Sequence, residues 1–139
     1  MSPQGYSKLI EFEGEQFSPY RDPQGYLMIG IHHYIDERKG SGITQNISRR
    51  LYESDLAYFT ATARCSFDWF DALDPVRQDV IVMLLFDPGM TGLNAMLSAF
   101  GEHQWHEAAF QLANSTWGRH VDNQRKKEMC SAIEYGRWV

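Results

Sequence analysis

Apolar and polar positions along the chain recur at two different periods, and the change from one to the other divides the sequence. From Pro3 to Glu13, the residues Tyr6, Leu9, Ile10 and Glu13 fall at helical spacing, which predicts a helix ending with a carboxylate on its inward side. Ser2 offers a capping hydroxyl, Pro3 suits the first helical position, and Gly14 can stop the helix. A period of two follows. Residues 19–21 and 26–31 read as strands joined through Asp22, Pro23, Gln24 and Gly25, a sequence made for a tight turn. Strand alternation places Met28, Gly30 and His32 on one face and Ile29, Ile31 and His33 on the other. The Met28 face is the one expected to look back toward Glu13 and Asp22, and the polar loop DERKGSG comes next.

Beyond that loop the period is helical. Thr44 opens a long helix whose Ile47, Leu51, Asp55, Tyr58 and Thr62 form a mostly apolar face holding one acid. A buried acid needs a partner. Asp74 and Pro75 repeat the cap-and-proline signal before VRQDVIVMLLF, which Asp87, Pro88 and Gly89 close. A helix through Leu93, Met96, Leu97 and Phe100 is predicted next, then one carrying Trp105, Ala108, Ala109, Leu112 and Ala113. Asp122 or Asn123 caps a last helix with Met129, Ala132 and Ile133 on its inner face.

Composition narrows the function classes. A chain of 139 residues is expected to form one domain that buries roughly two thirds of its unfolded surface without disulfides or a structural metal. Cys65 and Cys130 are far apart and match no metal spacing, so they read as free thiols. A net charge of −5 argues against general nucleic-acid binding, which needs a basic field. The one dense basic run, Arg125, Lys126 and Lys127, reads as the solvated start of a helix. The first residues lack the pattern of a cleavable signal, and no apolar run approaches the ~18 residues that suggest a membrane span. The expectation is therefore synthesis in the cytoplasm, no membrane insertion, and help from another protein to reach any target outside. His103 and His106 are three apart with no third ligand beside them, so neither a metal nor another cofactor is expected.

Two longer motifs carry a resemblance. Glu13, Gly14, Tyr20, Asp22, Gly25, Tyr26, Ile29, Gly30, Ile31 and His33 form EGxxxxxYxDxxGYxxIGIxH, and LDPVRQDVIVMLLFDPGMTGL and QWHEAAFQLANSTW follow downstream. With these the chain resembles the phage-type lysozymes, the T-even bacteriophage muramidase family, over nearly its whole length apart from the short DERKGSG loop. The resemblance implies an α+β, lysozyme-like fold: a small β lobe at about residues 14–43, a helical lobe at about 44–139, and the helix 3–13 packed on the latter. It also implies hydrolysis of the β-1,4 bond between N-acetylmuramic acid and N-acetylglucosamine, with the peptidoglycan glycan strand in a cleft between lobes.

The residues that the resemblance marks follow from that chemistry. Glycoside hydrolysis uses one protonated carboxyl to load the leaving oxygen and one ionised carboxylate to direct water. Glu13 matches the acid, where desolvation is expected to hold its proton, and Asp22 matches the charged partner at a solvated turn. His33 and Asp55 match a buried ion pair that supports the hairpin. Tyr34, Phe86, Gln111 and Trp117 match substrate contacts, and Asp87 puts a negative charge where the family often has a neutral amide. The family's third catalytic position, a threonine that helps hold the water, is Met28 here. A thioether donates no hydrogen bond. His32 stands where glycine is usual, as a replacement water ligand or an obstruction to a sugar. The basic residue that commonly meets the acid from the last helix is displaced, with Arg125 one residue off. The resemblance thus implies a monomeric muramidase acting in the periplasm in phage lysis or as a delivered effector, with a holin, secretion or immunity partner. The alternative is a catalytically impaired homologue that binds glycan or a protein without cutting.

Overall fold

Caps and turns fix the first elements of the computed structural model, which describes residues 1–35, 39, 40, 42–87 and 91–138. Ser2 Oγ accepts from the Gly5 N–H at 3.1 Å, Pro3 begins α1 (Pro3–Glu13), and the N–H of Gly14 reaches Ile10 O at 2.8 Å to end it. Gly14 sits at φ 72°, a conformation that favours glycine. No residue of α1 is buried; of its predicted inward face, Ile10 is half-buried and Tyr6 exposed.

Three strands, β1 (Gln16–Arg21), β2 (Leu27–Gly30) and β3 (His33–Tyr34), form an antiparallel sheet in that order. The turn from β1 to β2 is closed by Asp22 O accepting from Gly25 N at 3.0 Å. Tyr20 pairs with Met28 across β1 and β2, and Met28 with Tyr34 across β2 and β3. Two sequence expectations need correction. The first strand starts at Gln16, three residues early, and the second stops at Gly30, leaving a two-residue connection to an unforeseen third strand. The cause is backbone: Gly30 has φ 65° and His32 φ 53°. The pleat therefore ends before His32, and alternation does not place that side chain on the Met28 face.

Thr44 Oγ1 accepts from Ile47 N at 3.3 Å and begins α2 (Gln45–Ser66). Its packed face is not the predicted one. Leu51 and Tyr58 are exposed, as is Asp55, whereas Leu56, Phe59 and Ala63 meet the core. The latter residues recur at three and seven with Phe67 beyond them, and the larger apolar stripe goes inward. Asp55 is thus not the buried acid expected from the sequence. The chain divides into two compact units, Met1–Tyr52 and Glu53–Val139, the division falling within α2.

In the second unit, Asp74 Oδ1 accepts from Arg77 N at 3.1 Å and Pro75 opens α3 (Pro75–Phe86). Then come α4 (Asn94–Gly101), α5 (Trp105–Asn114), α6 (Thr116–His120) and α7 (Asn123–Tyr135), the last capped by Asp122. The short 3₁₀ turn Phe70–Ala72 and α6 were not evident in the sequence pattern. Helix α5 packs against α4, α6 and α7, around Ile81, Leu84, Phe100, Leu112 and Ile133, all at most 1% exposed. Each such side chain stabilises the fold by about 1.5–3 kcal/mol relative to leaving it in water. Arg77 ties the two ends of this unit together. Its Nη1 donates to Asp74 Oδ2 at 2.7 Å, Nε to Ile133 O at 2.7 Å and Nη2 to Glu134 O at 3.1 Å, with the guanidinium 4.1 Å from the Trp105 ring centre. Residues 36–38 and 41 of the predicted polar loop, and Pro88 and Gly89 of the predicted helix stop, lie outside the described residues. The class is α+β, mainly helical with one small antiparallel sheet, as the sequence predicts.

Candidate active site

The first unit holds Glu13, Asp22, Met28, His32, His33 and Tyr34 on a helix end and the turns of the sheet. Glu13 is the last residue of α1, and its Oε2 lies 3.1 Å from His32 Nδ1. Its side chain is 36% exposed, so the desolvated carboxyl expected from the sequence is not found. The His32 ring in turn meets Tyr34 edge-on with centres 5.7 Å apart, and Tyr34 meets Tyr26 in the same manner at 5.4 Å. Asp22 is held by its own turn: Oδ1 accepts from the N–H groups of Gln24 at 3.0 Å and Tyr26 at 2.8 Å. Among the described residues Oδ2 of Asp22 has no partner. The local sequence thus fixes the carboxylate and leaves one oxygen available, which is what an Asx turn does.

Met28 is fully buried at the centre of the three strands. Its thioether fills the small sheet's interior, a packing role that needs no hydrogen bond. His33 is exposed, like Asp55, so the burial expected for that pair is corrected on both sides. One cavity of about 440 Å³ lies in the second unit and another of about 420 Å³ in the first. The latter is lined by His32, His33, Tyr34, Ile35, Thr44, Asn46, Ile47 and Arg50. Arg50 is not marked by the sequence, because the Arg49–Arg50 pair on an exposed helix turn matches no motif.

The second unit gathers another part of the predicted set. Trp117 Nε1 donates to Asp87 Oδ2 at 3.1 Å, Arg125 Nη1 lies 3.4 Å from the same oxygen, and the Arg125 guanidinium is 5.7 Å from the Trp117 ring centre. These three residues line the larger cavity with Thr116, His120, Val121 and Asp122. Asp87, expected as an added negative charge, is therefore matched by a cation and an indole N–H. Trp117 is only 5% exposed and offers the cavity little of its ring. Phe86 stays 41% exposed and packs on Phe59 with ring centres 5.3 Å apart. Gln111 turns to its own helix, its amide donating along α5 to Glu107 Oε1 at 2.7 Å.

His103 stacks on Trp105 at 5.1 Å, and His106 Nδ1 lies 3.2 Å from Glu134 Oε1, so the two histidines enter separate contacts. Among the described residues no three His, Cys, Asp or Glu side chains gather as a metal site, and no helix is long and apolar enough to cross a membrane.

Comparison with known proteins converges on one family. The family model described as phage lysozyme matches residues 10–138. Probable T4-type lysozyme 1 of Dictyostelium discoideum is 28% identical over an alignment of 153 positions that covers 89% of each chain. Probable T4-type lysozyme 2 of the same organism is 25% identical over the same extent. With the match running from the last turn of α1 to the residues beyond α7, and both carboxylates inside it, the chain belongs to the phage lysozyme family.

Proposed function

We propose that this protein is a muramidase that hydrolyses the β-1,4 bond between N-acetylmuramic acid and N-acetylglucosamine, with Glu13 as the acid and Asp22 as the charged carboxylate. Family membership supports a peptidoglycan hydrolase of the muramidase type. The observation that carries the finer reading is the placement of both carboxylates in one compact unit, each tethered through one oxygen and each with the other unengaged among the described residues. Protonated Glu13 gives its proton to the leaving glycosidic oxygen as that bond to the anomeric carbon breaks. Asp22 directs a water at the same carbon and takes the proton released when the new C–O bond forms. Tyr34 and Phe86, 40% and 41% exposed, have apolar surface to offer sugar rings. The proposed setting is bacteriolysis in the periplasm by a monomer, with a holin or secretion partner for passage and an immunity partner where a producer must be protected.

A second reading is favoured by Met28. A fully buried thioether stands where the resemblance places a water-holding hydroxyl, so an impaired homologue that binds glycan without cutting it fits the same geometry. Loss of turbidity of chloroform-treated Gram-negative cells separates the two. Clearing by the native protein and not by Glu13→Gln supports the enzyme. Clearing by Met28→Thr alone supports an intact scaffold lacking its water ligand. Equal clearing by Glu13→Gln refutes the assignment of the acid.

A further inference from the structure

The contact between Glu13 and His32 has no counterpart in the roles assigned so far. The ring is placed with care by the backbone: His32 occupies a left-handed conformation at φ 53°, reached through Gly30 at φ 65°, and its ring packs edge-on against Tyr34. Such a conformation is uncommon for a residue with a side chain. From there Nδ1 meets Oε2 of Glu13 at 3.1 Å, whereas Arg125, the cation that the sequence suggests for this acid, meets Asp87 at 3.4 Å.

We propose that His32 is the positioning residue of Glu13, holding Oε2 so that Oε1 is the oxygen that carries the proton to the substrate; this deepens the muramidase reading and rests on it. A neutral ring with its proton on Nδ1 donates to Oε2 of the loaded acid and leaves Oε1–H directed elsewhere. A protonated ring acts in the opposite sense, because an adjacent cation favours the ionised carboxylate and so opposes loading of the acid. Among the described residues, Tyr34 of β3 meets the ring, and His33 and Arg50 of α2 line the same cavity; on α1, Lys8 is occupied with Glu11 at 2.7 Å.

Two variants isolate the effect. His32→Asn tolerates the left-handed backbone and keeps an N–H donor near the place of Nδ1; His32→Gly keeps the backbone and removes the donor. With soluble peptidoglycan fragments as substrate, His32→Gly lowers kcat roughly 10- to 100-fold with KM unchanged, and His32→Asn recovers most of that loss. Independently of turnover, the ring ¹⁵N shifts of His32 move when Glu13 is replaced by Gln. Native-like kcat in His32→Gly, with Glu13→Gln inactive, overturns the inference and spares the muramidase reading. Undiminished activity in Glu13→Gln overturns both. If no variant turns over substrate, ring shifts indifferent to Glu13→Gln overturn the contact itself.

Discussion

The two compact units are held together by different physics. In Glu53–Val139, Phe70, Ile81, Leu84, Phe100, Leu112 and Ile133 are all but sealed from solvent, whereas in Met1–Tyr52 Met28 is the one buried apolar side chain among the described residues. The helical unit has a core; the sheet unit has a hub. What the sheet unit lacks in burial it makes up with local hydrogen bonds: the Ser2 cap, the Asp22 turn and the Glu13–His32 contact. Both carboxylates assigned to the reaction sit on the unit ordered locally. Their positions depend on single backbone N–H groups and one imidazole, so chemistry there is changed by substitutions that barely touch the fold.

That contrast is broken most severely if the locally held carboxylates prove to matter for stability. Glu13→Gln is expected to reduce the rate of wall cleavage about 10²- to 10⁴-fold while moving the unfolding free energy by less than about 0.5 kcal/mol; a large loss of stability in denaturant melts is the contrary result. Next in size, Phe100→Ala empties part of the helical core and is expected to cost about 3–5 kcal/mol, measured by the same melts. Met28→Ala falls at the lower end for such truncations, about 2 kcal/mol, because its surroundings are three short strands. Should it cost as much as Phe100→Ala, the sheet unit has a core after all. The smallest effect is electrostatic. Burial alone would raise the Asp74 carboxyl, but its hydrogen bonds from Arg77 and the guanidinium charge together hold it below its ordinary value of 3.8. A depressed folded-state value means that the contribution is full above the ordinary value and is lost as pH falls through the depressed one. The stability difference between native protein and Asp74→Asn, on the order of 1 kcal/mol at neutral pH, therefore shrinks on acidification below about pH 4.

Much of this architecture was legible because it is punctuated. Ser2–Pro3, Asp74–Pro75 and Asp122 each place a side-chain acceptor before a run of helical period, and each is found capping the helix it predicts. The Asp22–Gly25 turn is legible for the same reason, since the side chain that makes the turn is written in the sequence. What failed was inference from period alone. On α2 two stripes compete, and only packing decides that Leu56, Phe59 and Ala63 go inward while Asp55 stays exposed. After Gly30 the strand period continues in the letters but not in the backbone, so alternation does not fix the direction of His32. The grouping of Asp87, Trp117 and Arg125 spans three elements and could not be read from spacing. The sequence does lead one to expect His32 to look back toward Glu13, and the two meet, but the left-handed backbone that sets the contact is not written in the strand period.

Arg77 also constrains the order in which the helical unit can be made. Its guanidinium is spoken for by Asp74 nearby but also by the carbonyls of Ile133 and Glu134, 56 and 57 residues later in the chain. During synthesis α3 emerges from the ribosome well before those acceptors exist. The helical unit is thus completed only once α7 has cleared the exit tunnel, and until then the nascent chain displays the apolar side of α3 to whatever chaperone is at hand.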